Sequence, residues 1–93
     1  MRTTEDMDYI YDLDGTKISI EVTQKQMRSD VIRQYVECRK SRKMTQEELA
    51  KRTGISRPNI SRFESGKYNP SLEMMVHIAA ALEMKLNIKV ESK

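Results

Sequence analysis

Residues 45–67, TQEELAKRTGISRPNISRFESGK, carry a helix start, a helix stop and a second helix start in close succession, and few folds accept that spacing. Thr45-Gln46-Glu47-Glu48 has the form of a capping box, in which threonine and the glutamate three residues on satisfy each other's backbone amides. Gly54 follows Lys51-Arg52, a glycine where a helix ends and the backbone turns left-handed. Ser56 then opens a second helix with Pro58 in its first turn, where the missing proline N–H costs nothing. Ser65-Gly66 closes it. The pattern predicts two short helices joined by a tight turn of about four residues.

Helical signals continue on both sides. Upstream, Met27, Val31, Ile32, Tyr35 and Val36 share one helical face, and the start is either a capping box at 23–26 or Ser29-Asp30. Downstream of the loop Lys67-Tyr68-Asn69-Pro70, Ser71 caps a fourth helix with Leu72, Met75, Val76, Ala79 and Leu82 at 3–4 spacing. The ends read differently. Residues 7–22, MDYIYDLDGTKISIEV, alternate about Asp14-Gly15, a two-residue turn signal. Folding on that turn sets Tyr11 opposite Ile18, Tyr9 opposite Ile20 and Met7 opposite Val22. Residues 86–90, LNIKV, alternate like a strand.

These patterns predict a mainly α fold: four helices with an N-terminal β-hairpin and a short C-terminal strand. Three regions are expected: a hairpin extension at 1–23, a helical domain at 24–83 and a strand element at 84–93. Charge divides the chain in a similar way. Residues 1–23 hold two basic and six acidic side chains, a balance of −4, whereas residues 24–70 hold twelve and five, a balance of +7. A cationic block of that density neutralises several phosphates. No apolar run approaches the roughly 18 residues of a membrane span, and the N-terminus is acidic where a signal peptide is basic, so a cytoplasmic location is expected. Cys38 is the single cysteine and His77 the single histidine. Together they fall short of the three or four ligands of a metal site, and no nucleophile is paired with a base. Neither catalysis nor a cofactor is expected.

The second helix of the 45–67 stretch has two faces. Ile60 and Phe63 must point inward, with Ile55 just before them. Arg57, Pro58, Ser61 and Arg62 lie away from that stripe. A helix-turn-helix is built this way, with its second helix laid in the DNA major groove. Arginine presents a fork that matches O6 and N7 of guanine.

The chain resembles the phage-repressor/Cro-type (XRE) helix-turn-helix family from about Arg39 to Leu82. The residues that carry the resemblance are Arg39, Thr45-Gln46-Glu47-Glu48-Leu49-Ala50, Gly54-Ile55-Ser56, Ile60-Ser61-Arg62-Phe63-Glu64-Ser65-Gly66-Lys67, Pro70-Ser71-Leu72 and Ile78-Ala79-Ala80-Ala81-Leu82. The resemblance implies a compact bundle of four to five helices, and a repressor that binds operator DNA, of palindromic form, as a homodimer. In one branch it implies an antitoxin that also holds a small toxin protein. It implies base reading by Arg57, Pro58, Ser61 and Arg62, although the family often has a polar side chain where Pro58 stands. Gln46, Asn59, Lys67 and Asn69 match phosphate-contacting positions, and Gln46 also matches a residue that braces the recognition helix. Arg39 and Glu64 match a partly buried ion pair. The dimer contact is expected after about residue 72, with Leu86, Ile88 and Val90 facing apolar neighbours.

Overall fold

Ser19 ends a strand and opens a helix, and this double role shapes the N-terminal part of the chain. In the computed structural model, which describes residues 9–92, β1 (Tyr9–Tyr11) and β2 (Lys17–Ser19) form a two-stranded antiparallel sheet. The Ser19 hydroxyl accepts the Val22 amide at 3.3 Å, and the Thr23 hydroxyl donates to the Ser19 carbonyl at 2.8 Å. A capping oxygen of this kind satisfies an amide that the first helical turn leaves without a partner. Helix α1 therefore runs over Ile20–Ser41. It begins earlier than either start expected from the sequence.

The hairpin forms, but not in the expected register. Tyr9 pairs with Ser19, Ile10 with Ile18 and Tyr11 with Lys17. The turn explains the slip of one residue. Its loop has three residues, Leu13-Asp14-Gly15: the Gly15 amide donates to the Asp12 carbonyl at 2.9 Å, and the Asp12 amide donates to the Thr16 carbonyl at 2.8 Å. Gly15, at φ 91°, takes the left-handed position that closes loops of this length. Asp14 accepts the Thr16 amide at 2.9 Å. That bond, with a second from the Thr16 side chain, holds its carboxyl below the usual carboxylate range. Tyr9 and Tyr11 now share a face with Lys17, whose ammonium lies 4.1 Å from the centre of the Tyr9 ring. Ile20 and Val22 belong to α1 and do not extend the sheet. Met7 lies outside the described residues.

The chain divides into two compact units, Met1–Val31 and Ile32–Lys93, with the division inside α1. In the second unit follow α2 (Gln46–Thr53), α3 (Arg57–Glu64) and α4 (Leu72–Ala81), so the described residues contain four helices. Each of these three starts where a hydroxyl caps it. Thr45 accepts the Glu48 amide at 3.1 Å within a complete capping box, Ser56 accepts Asn59 at 3.4 Å and Ser71 accepts Met74 at 3.0 Å. Gly54, at φ 76°, ends α2 in the left-handed conformation.

The core of this unit consists of Ile32, Tyr35, Leu49, Ile60, Phe63, Ile78, Ala79 and Leu82. Tyr35 and Phe63 meet edge to face with ring centres 5.2 Å apart. Burial pushes the Tyr35 phenol above its ordinary range, with a smaller contribution from Cys38. Its hydroxyl stays a donor and bonds the Met75 carbonyl of α4 at 2.8 Å. Thr53, buried and polar, donates to the Leu49 carbonyl at 2.8 Å and accepts the Ile55 amide at 3.1 Å.

The strand expected at 86–90 does not form. Residues 84–92 contain neither helix nor strand; Leu86 is half-buried, Ile88 is 61% exposed and Val90 99% exposed. Alternation suits a strand, but backbone donors and acceptors need a neighbouring strand, and among the described residues none pairs with this segment.

Helix α1 ends at a cost. Lys43 stands at φ 54° so that the Met44 amide can reach the Arg39 carbonyl at 3.2 Å. A side chain in that conformation costs about 1–2 kcal/mol, and glycine removes it for roughly 0.5–1 kcal/mol of added chain entropy. Lys43→Gly should therefore raise stability by about 0.5–1 kcal/mol, measured as a higher urea midpoint with an unchanged slope.

Candidate nucleic-acid interface

Helix α3 presents two chemically opposite faces. Ile60 and Phe63 are 0% and 1% exposed and fasten it to the core. Arg57, Pro58, Ser61 and Arg62 all lie on its exposed side. Pro58 sits in the first turn behind the Ser56 cap, where its lack of an N–H removes no helical hydrogen bond. Asn59 is exposed next to it, and Lys67 and Asn69 are exposed in the loop that follows α3.

The C-terminal end of α3 is held by a charged cluster. Arg39 of α1 meets Glu64 through two parallel bonds, Nε to Oε2 at 2.7 Å and Nη2 to Oε1 at 3.0 Å. Its remaining nitrogen, Nη1, donates to the Met44 carbonyl at 2.8 Å. The side chains are 11% and 8% exposed, so the pair is largely withdrawn from water. Gln46, at the start of α2, donates from Nε2 to Glu64 Oε1 at 3.0 Å. One carboxylate thus ties α1, α2 and α3 together. Two-point bonds between guanidinium and carboxylate are strong and directional, so they fix orientation as well as distance.

The structure also shows a contact that the sequence pattern does not single out. The Arg62 guanidinium carbon lies 5.1 Å from the centre of the Tyr68 ring. Tyr68 is half-buried, and its hydroxyl donates to the Met74 sulfur at 3.2 Å. The tyrosine lies six positions after the arginine, across a helix end and a glycine, and no periodicity joins them.

His77 is exposed, Cys38 is half-buried, and no group of three or more metal-ligating side chains occurs among the described residues. No helix among them is long and apolar enough to cross a membrane.

A family model described as helix-turn-helix matches residues 37–88, from the last turn of α1 to beyond α4. The chain is 54% identical over 43 residues to an uncharacterised HTH-type transcriptional regulator of Archaeoglobus fulgidus, covering 46% of this chain and 61% of that protein. It is 39% identical over 49 residues to the immunity repressor protein of Bacillus phage phi105, covering 53% of this chain and 34% of the repressor. It therefore spans less than two thirds of the length of either relative. Among solved structures, a toxin–antitoxin module from Streptococcus pneumoniae aligns with a TM-score of 0.61 at 28% identity. The alignment covers 76% of this chain and 79% of that one.

The charged cluster makes a quantitative demand. Glu64→Ala leaves Arg39 buried without its counter-ion and should destabilise the fold by about 3–5 kcal/mol. Removing both charges should cost less than the two single losses added together. Urea unfolding of the four proteins of a double-mutant cycle measures this; strict additivity would show that the pair contributes nothing jointly.

Proposed function

The chain belongs to the helix-turn-helix family, and from that premise we propose that it is a transcriptional regulator, a repressor that binds specific double-stranded DNA as a homodimer. The observation that carries this reading is the two-faced α3, apolar where it meets the core and bearing Arg57 and Arg62 on its exposed side. In the major groove these arginines read guanine edges, while Pro58 and Ser61 contact the neighbouring bases. Gln46, Asn59, Lys67 and Asn69 hold the sugar–phosphate backbone on either side, and Gln46 does so while bonded to Glu64. The balance of +7 over residues 24–70 supplies attraction independent of sequence, and the protein acts in the cytoplasm with its DNA. No cofactor or catalytic step is needed.

One recognition helix covers only a few base pairs. Two copies related by a two-fold axis place their recognition helices about 34 Å apart on a palindromic operator. In this reading Leu86, Ile88 and Val90 supply the dimer contact, which gives the exposed apolar surface of Ile88 and Val90 a partner.

A second reading is favoured by the likeness to the toxin–antitoxin module together with the balance of −4 over residues 1–23. Here the protein is an antitoxin: its acidic N-terminal region holds a small basic toxin, and DNA binding represses its own operon. Co-expression with the product of an adjacent reading frame tests it. A stable complex that is lost when residues 1–23 are removed supports the antitoxin reading, and no complex speaks for the repressor alone.

Two outcomes test the main reading. On a duplex selected from a random pool by the wild-type protein, Arg57→Ala and Arg62→Ala should each lose about 1–3 kcal/mol of binding and relax one base preference. Equal losses on selected and random DNA would reduce both to phosphate contacts. Removal of residues 85–93 should weaken self-association and binding to the selected duplex together, with helical content retained. Sedimentation of the truncated protein decides this; an unaltered dimer would move the contact elsewhere.

A further inference from the structure

Long arginine side chains on an exposed helix sample many rotamers, and binding must freeze one of them. Arg62 has a neighbour that narrows this choice. Its guanidinium lies over the Tyr68 ring at 5.1 Å, within the range of a cation–π contact. The ring is itself restrained: Tyr68 is half-buried, and its hydroxyl is tied to the Met74 sulfur of α4 at 3.2 Å. A ring face offers no lone pair, so the contact leaves the in-plane N–H fork of the arginine available to a base edge.

We propose that Tyr68 is a positioning residue for DNA recognition, holding the Arg62 guanidinium in place before DNA arrives and thereby sharpening the base preference that Arg62 confers. The inference rests on the base-reading role proposed for Arg62. Tyr68 acts through the arginine and supplies an aromatic face. The hydroxyl anchors the ring only through its bond to Met74, so the face matters most and the hydroxyl less.

The test uses the full chain and a duplex that the wild-type protein selects from a random pool. Four variants are compared: Tyr68→Phe, Tyr68→Leu, Arg62→Ala and the double variant Tyr68→Leu/Arg62→Ala, each checked for native circular dichroism and melting. Tyr68→Phe keeps the ring face and should bind within about 2-fold of wild type, while Tyr68→Leu should bind roughly 3- to 10-fold more weakly. The Tyr68→Leu protein, put through the same selection, should show a flattened preference at the one base position that Arg62→Ala also flattens. In the Arg62→Ala background, Tyr68→Leu should cost almost nothing further. A Tyr68→Leu loss that persists undiminished in that background overturns the positioning role, because Tyr68 then acts on DNA or on the loop by itself. Unchanged binding and preference in Tyr68→Leu overturns it as well. If Arg62→Ala selects the same duplex with wild-type affinity, the base-reading role of Arg62 fails first, and the positioning role falls with it.

Discussion

The Glu64 carboxylate is the point on which the arrangement of α3 depends. Apolar packing by Ile60 and Phe63 fixes which face of α3 is inward, but smooth side chains permit some roll and slide. The fork of Arg39 on Glu64 permits little, since both oxygens are engaged at 2.7 and 3.0 Å. Gln46 adds a third donor from α2. A buried ion pair is weak evidence for net stability, because desolvation opposes attraction. Its contribution here is geometric: the exposed arginines stand at a set angle to the helix that precedes them.

What could be read from the sequence was whatever depends on neighbours within a turn. The caps at Thr45, Ser56 and Ser71 each close on an amide three residues away, so spacing alone reveals them. The inward positions Ile60 and Phe63 and the outward Arg57 and Arg62 follow from the helical period. The hairpin shows where this stops. Asp14-Gly15 serves equally as a two-residue turn or as the last two residues of a three-residue loop, and only the Thr16 and Gly15 hydrogen bonds choose between them. Ser19 and Thr23 compete to open α1 with similar chemistry, and the earlier one prevails.

Contacts that join distant or irregular positions were not legible in that way. Arg39 and Glu64 are 25 residues apart, and the resemblance to a known family, not any pattern of spacing, pointed to their meeting. Tyr68 reaches Arg62 only because the chain turns back after Gly66, which stands at φ 69°. The segment 86–90 has the alternation of a strand, yet alternation cannot supply the second strand. A strand is a property of two segments, and the pattern of one leaves its partner unspecified.

Pro58 gives the exposed side of α3 a different character from that of an all-polar helix. A proline ring carries neither donor nor acceptor and adds no N–H at the helix start. On the proposed function, whatever base lies beneath it meets only carbon. A thymine methyl group fits such a surface, whereas a base edge that relied on a protein hydrogen bond goes unanswered. Recognition at that step works by exclusion, as a closed door does, and the two arginines on either side of the ring are left to say what is welcome.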